Sequence, residues 1–169
     1  MKRILGIDLG NVIRPSVPDG QHGSFDLPDD SYLQSPDFPE ARKCLLEAKK
    51  HFDEIHLVSR SNDGRWDDRK KWLSHHGYDE IFEPDRIHFC VRYEDKSPIC
   101  RDLGVTDFID DNLFRVLSHL TTVPRLFWFR ANLNPVDLEH LHLLRERKIK
   151  VALSWQTLIS QLLTILTKR

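Results

Sequence analysis

Apolar residues follow two alternating rhythms along this chain. The first is a series of short, dense apolar runs: Arg3–Asp8, Glu54–Ser59, Ile87–Val91, Val105–Asp110, Arg125–Phe129 and Ile149–Ala152. Runs of this length with few polar interruptions predict strands buried on both faces. The second rhythm is helical. Phe38, Ala41, Leu45, Ala48 and Phe52 recur at steps of three and four, which places them on one helix face. Trp66–His76 predicts another helix, closed by Gly77. Ser97-Pro98 predicts a helix start with serine as cap and proline in the first turn, and Gly104 closes that helix. Leu113–Leu120 predicts a further helix, and Asn134-Pro135 opens one that runs to about Arg147. Ser154 caps a last one, with Leu158, Ile159, Leu162, Leu163 and Leu166 as its apolar residues.

Strand and helix therefore alternate throughout. That order predicts an α/β domain: a parallel sheet of five to six strands with helices on both faces, in three layers. No repeat or linker divides residues 1–169, so a single domain is expected. Residues 14–36 break the rhythm. They hold Pro15, Pro18, Pro28 and Pro36, with Gly20, Gly23 and several aspartates, and predict a long polar loop. Loops of that length in a compact domain are often functional.

Composition narrows the class without naming a function. The 169 residues carry 25 Lys plus Arg against 26 Asp plus Glu, a net charge of −1. No strongly basic surface for nucleic acid is indicated. No apolar run approaches the roughly 18 residues of a membrane span. The basic start Met1-Lys2-Arg3 leads into Asp8 rather than a signal-peptide core. Cys44, Cys90 and Cys100 are odd in number and far apart, which fits neither a disulfide framework nor a zinc site. A cytoplasmic protein with no membrane partner is the expectation.

In an open parallel sheet, ligands bind outside the carboxyl ends of the strands. The polar residues that end strands are Asp8, Ser59 and the pair Asp110-Asp111, and Lys96 lies beside a helix start. Carboxylates with a backbone carbonyl form a hard oxygen site suited to Mg²⁺. Serine, lysine and loop amides hold phosphate oxygens. An aspartate beside such a metal can attack phosphorus, which splits one hard step into two.

These residues carry a resemblance. Gly6-Ile7-Asp8-Leu9-Gly10-Asn11-Val12 resembles the first motif of the haloacid dehalogenase superfamily. Ser59 resembles its second motif, Lys96 its third, and Phe108-Ile109-Asp110-Asp111 its fourth. The order agrees across residues 6–111. The resemblance implies a Rossmann-like core and a Mg²⁺-dependent hydrolase, a phosphatase working through an aspartyl-phosphate on Asp8. It implies Asp8, the carbonyl of Gly10, Asp110 and Asp111 as metal ligands, and Lys96 as partner of Asp8 in catalysis. Ser59, Lys96, Asn11 and Arg60 would hold the phosphate. Arg60, with Ser61 and Asn62, either faces substrate or shapes the turn.

Gly10 departs from that pattern, because such phosphatases usually place a second aspartate there as general acid and base. Its absence costs about 10²–10⁴-fold in rate. His22 or Asp19 of the loop could supply an acid instead. The alternative is a non-catalytic module that binds Mg²⁺ and phosphate, or a partner subunit. Blander readings stand beside each residue. Asp8 could cap a turn, Asp110-Asp111 could cap the following helix, and Ser59 could be a turn serine. His75-His76 point to different faces, and Cys100 and Trp128 suit the core. Leu5–Gly10 also resembles the phosphate segment of actin-like ATPases and sugar kinases, but those need two large lobes. A receiver domain would carry its paired acids after the first strand, and G-x-G-x-x-G is missing.

The intervals 13–54 and 60–95 leave no room for a substantial cap domain. An open cleft with residues 14–36 as a flap is expected. Such a cleft suits large phosphorylated substrates, or small ones enclosed by a second copy in a homo-oligomer.

Overall fold

The computed structural model describes residues 2–27, 29–61, 64–132 and 141–167. Among the described residues six strands are present: β1 (Ile4–Ile7), β2 (Glu54–Arg60), β3 (Ile87–Cys90), β4 (Asp107–Asp110), β5 (Arg125–Phe129) and β6 (Lys150–Ala152). All pair in parallel, in the order β3-β2-β1-β4-β5-β6. Among the described residues five α-helices accompany them: α1 (Ala41–Lys49), α2 (Trp66–His75), α3 (Lys96–Leu103), α4 (Leu141–Glu146) and α5 (Trp155–Thr167). This is the α/β parallel sheet expected from the alternation, with the Rossmann-like core that the resemblance implied.

The sheet separates two apolar clusters, because successive strand residues point to opposite faces. Leu5, Ile7, Leu57, Ile109 and Phe127 join α1, α2 and α5 on one side. Ile4, Val58, Phe108, Leu126 and Trp128 join Cys100 of α3 on the other. Gly6 lies where Phe108 crosses β1, and a Cβ there would collide with the Phe108 ring. Burial pushes the thiols of Cys90 and Cys100 up to about 11 and about 12, so both behave as core residues.

Two expectations need correction. Leu113–Leu120 is not an α-helix; only Leu117–His119 forms a 3-10 turn. Leu117 N–H donates to Asn112 O and Ser118 N–H to Leu113 O, wide turns that bring Leu113, Val116, Leu117 and Leu120 all into the core. Helix α3 begins at Lys96 with Asp95 at its N-cap position, so Ser97 lies inside it. Gly104 closes α3 in the left-handed region, and the Ser154 hydroxyl caps α5 at Thr157 N–H, both as expected. The predicted helix start at Asn134-Pro135, the side chain of Leu166, and Pro28, Asn62 and Asp63 lie outside the described residues.

The described residues of 14–36 include the 3-10 helix Asp30–Gln34 and bury Phe25, Tyr32 and Ser35. They are stapled to the body. Trp72 Nε1 donates to Ser35 O at 2.9 Å, and His76 Nε2 lies 3.0 Å from Leu33 O. Among the described residues no helix is long and apolar enough to cross a membrane.

Candidate active site

The chain runs from β1 outward to β2 and β3, then returns to place β4 on the other side of β1. A crevice therefore opens between the carboxyl ends of β1 and β4, where the strand order reverses. Asp8 immediately follows β1 and is locked to β4 by its N–H, which donates to Ile109 O at 3.0 Å. Asp110 ends β4 and Asp111 follows it. These three carboxylates offer oxygens that all lie within 4.8 Å of one another.

Lys96, at the first turn of α3, reaches the same point. Its ammonium is 2.7 Å from Asp110 Oδ2 and 3.0 Å from Asp8 Oδ1. Lys96 is 1% exposed and Asp110 0%. Burial works against the Lys96 charge, but Asp110 and Asp8 outweigh it and hold the amine protonated. Burial pushes the Asp110 carboxyl up to about 8; Lys96 opposes this, while Asp8 and Asp111 add to it. Burial and Asp8 likewise push Asp111 up to about 6, against the hydrogen bond from Asn11.

Three crowded carboxylates against one ammonium leave an excess of buried negative charge. Asp8 Oδ1 has the Lys96 ammonium 3.0 Å away, but not in good hydrogen-bond geometry, so that buried oxygen is incompletely satisfied. Both observations fit a hard divalent cation, which takes oxygen ligands and supplies the missing positive charge. Asp8, Asp110 and Asp111 are suited to hold it.

Asn11 shapes that loop. It sits at φ 55, a left-handed conformation that asparagine tolerates. Its Nδ2 donates to Asp111 Oδ2 at 3.1 Å, and its Oδ1 accepts from Ser16 N–H at 2.9 Å. In this structure the Asn11 amide positions an acid and the loop together. Ser59, at the end of β2, and Arg60 line the same cavity of about 300 Å³ as Asp8, Gly10 and Asn11. The Arg60 guanidinium stacks 4.4 Å from the Tyr93 ring. Asp8, Gly10, Asn11, Ser59, Arg60, Lys96, Asp110 and Asp111 thus gather at one edge of the sheet, whereas His22 and Ser61 do not line the cavity. Asp19 also lines this cavity.

Sequence reasoning missed three contributors. Trp128 is a core residue whose indole N–H donates to Asp111 O at 2.8 Å, fixing the acid from behind. Tyr93 borders the cavity, and Arg14 lines it while 5% exposed. A lone arginine after the apolar run Val12-Ile13 was the available signal for the last.

Carboxyls whose folded pKa is raised make stability depend on pH in a defined direction. Asp110 and Asp111 hold protons in the native chain that they have lost in the unfolded one, between the ordinary carboxylate value near 4 and about 6 to 8. Without divalent metal, their contribution therefore weakens stability as pH rises through that window. Each extra proton bound by the native state gives a slope of about 1.4 kcal/mol per pH unit. Thermal melts in EDTA from pH 5 to about 9 should show the decline. Excess Mg²⁺ should reduce it at the alkaline end. A decline unaffected by Mg²⁺ would argue against a cation among these acids.

No protein-family model matches the chain, and no curated protein matches it. Solved structures do. A D,D-heptose 1,7-bisphosphate phosphatase from B. bronchiseptica, complexed with magnesium and phosphate, superposes with a TM-score of 0.63 at 11% identity. The match covers 96% of this chain and 99% of that one. A haloacid dehalogenase-like family hydrolase from Xanthomonas campestris matches with a TM-score of 0.63 at 8% identity, over 97% and 96% of the two chains. A D,D-heptose 1,7-bisphosphate phosphatase from Burkholderia thailandensis gives 0.60 at 9% identity, over 96% and 99%. The fold of this chain is that of the haloacid dehalogenase-like hydrolases.

Proposed function

We propose that this protein is a Mg²⁺-dependent phosphatase that works through an aspartyl-phosphate on Asp8. The observation that carries the reading is the convergence of Asp8, Asp110, Asp111 and Lys96 at the sheet's switch point, beside an open polar cavity. A phosphoester placed in that cavity meets the Asp8 carboxylate at its floor. Asp8, the Gly10 carbonyl, Asp110 and Asp111 would hold Mg²⁺, which would supply positive charge to the transferring phosphoryl group.

Lys96 keeps the Asp8 carboxylate oriented and balances part of its charge. Ser59, Arg60 and the Asn11 loop bind the non-reacting phosphate oxygens. One Asp8 oxygen attacks phosphorus, the ester P–O bond breaks, and the leaving oxygen takes its proton from solvent. Water then attacks the same phosphorus and releases a proton. The Asp8–phosphorus bond breaks, phosphate leaves, and the carboxylate is restored. Gly10 contributes no side chain to either proton transfer, so esters with good leaving groups are favoured.

The test is hydrolysis of p-nitrophenyl phosphate by the purified chain with Mg²⁺ and with EDTA. Turnover that appears with Mg²⁺ and vanishes with EDTA supports the reading. Mg²⁺ binding without turnover of any phosphoester in a broad panel would overturn it. Such a result would favour the non-catalytic module that Gly10 also fits.

A further inference from the structure

Arg14 is a buried cation that the chemistry at Asp8 does not use. It is 5% exposed, yet no carboxylate forms an ion pair with it among the described residues. Its guanidinium donates to the carbonyl of Gly23, while its buried Nε has no hydrogen-bond partner. It lies 4.2 Å from the Phe25 ring centroid. The Arg69 guanidinium lies 4.5 Å from the same ring and donates to Arg65 O at 3.1 Å. Both arginines line the cavity that holds Asp8. Burial, and then the neighbouring Arg69, pull the Arg14 pKa down to about 10, so the positive charge persists at neutral pH despite its surroundings.

Burying a charge without an opposite partner is costly, and a second cation nearby adds to the cost. A staple between Arg14 and the Gly23 carbonyl would need only a neutral donor. A guanidinium in this position has a purpose if an anion arrives from the cavity. Its planar fork suits carboxylate and phosphoryl oxygens alike.

We infer that Arg14, supported by Arg69, forms a second anion subsite in the cavity, so that the substrate is a phosphomonoester carrying a second anionic group. That group is a carboxylate or another phosphoryl. The inference rests on the phosphatase reading, which places the first phosphoryl at Asp8. The acids Asp19 and Asp26 also line the cavity, but Asp26 is occupied by the Gly20 N–H and the Ser24 hydroxyl.

The test uses non-hydrolysable probes with Mg²⁺: alkylphosphonates, ω-carboxyalkylphosphonates and alkylene bisphosphonates of graded chain length, measured by calorimetric titration. At the best length, a doubly anionic probe should bind about tenfold or more tighter than the alkylphosphonate of equal length. The carboxylate and bisphosphonate arms show which second group is preferred. Arg14→Met should reduce that preference to less than about threefold, and Arg14→Lys should keep part of it. Arg69→Met, which removes the supporting charge, should weaken it as well and serves if Arg14→Met does not fold. Equal binding of singly and doubly anionic probes by the unaltered protein overturns the subsite alone. A preference that survives in a folded Arg14→Met also overturns it. Failure of every phosphonate to bind would instead remove the phosphate site at Asp8, and the inference with it.

Discussion

Asp8→Asn should lower Mg²⁺-dependent hydrolysis of p-nitrophenyl phosphate by roughly 10⁴-fold or more, with the fold retained. The amide is nearly isosteric with the carboxylate but is a poor nucleophile toward phosphorus. The fold should survive because Lys96 keeps its closer partner, Asp110 Oδ2 at 2.7 Å. The backbone bond from residue 8 N–H to Ile109 O does not depend on the side chain. Substitution also removes one of three crowded carboxylates, which relieves repulsion in the metal-free protein. Rate and melting temperature should therefore part company, the first collapsing while the second holds or rises in EDTA. The intermediate offers an independent readout. Borohydride reduces an acyl phosphate to the alcohol, so the unaltered enzyme, quenched during turnover, should show homoserine at position 8 by peptide mass spectrometry. A variant whose rate stays within about tenfold of the unaltered protein would exclude the Asp8 carboxylate as nucleophile.

What the sequence disclosed divides along physical lines. The strand-ending acids were legible because a parallel sheet sends its ligand chemistry to one edge, and Asp8 and Asp110 end adjacent strands. Lys96 was legible by order and by its place beside the Ser97-Pro98 helix start, though the helix begins two residues earlier than the serine cap implied. The residues after Asp111 misled. Leu113, Val116, Leu117 and Leu120 have helical spacing, yet wide turns bury the same four side chains. Periodicity reports which residues are buried, and more than one backbone can satisfy it. Arg14 was illegible for a different reason. Its meaning depends on Phe25 and Arg69, which lie 11 and 55 residues further along, and no local pattern announces a stacked cation. Trp128 reads from the sequence as core alone; it is core, and its indole also supports Asp111.

Gly10→Asp should restore the acid that this loop lacks, and the gain should depend on the leaving group. A Cβ at position 10 meets no atom within 4 Å, and Gly10 is not among the residues at positive φ. An L side chain therefore fits without strain and enters the cavity that Gly10 already lines. Its carboxyl would sit in the loop that joins Asp8 to Asn11, close to the negative charge of Asp8 and Asp111, and like charges raise a carboxyl pKa. Raised, it keeps a proton to give to the departing oxygen and can later take one from the attacking water. Alkyl phosphates leave as strongly basic alkoxides and need that proton, so their kcat should rise by about 10²-fold or more. The p-nitrophenolate ion is a weak base, and its release should change by less than about tenfold. Plotted against leaving-group pKa, the rates of the unaltered protein should fall steeply and those of Gly10→Asp should flatten. Gly10→Asn has the same shape without the titrating group and should leave the slope steep. An equal rise for aryl and alkyl esters would trace the gain to binding rather than to proton transfer. No rise in either would mean that the phosphoester does not reach the space above residue 10.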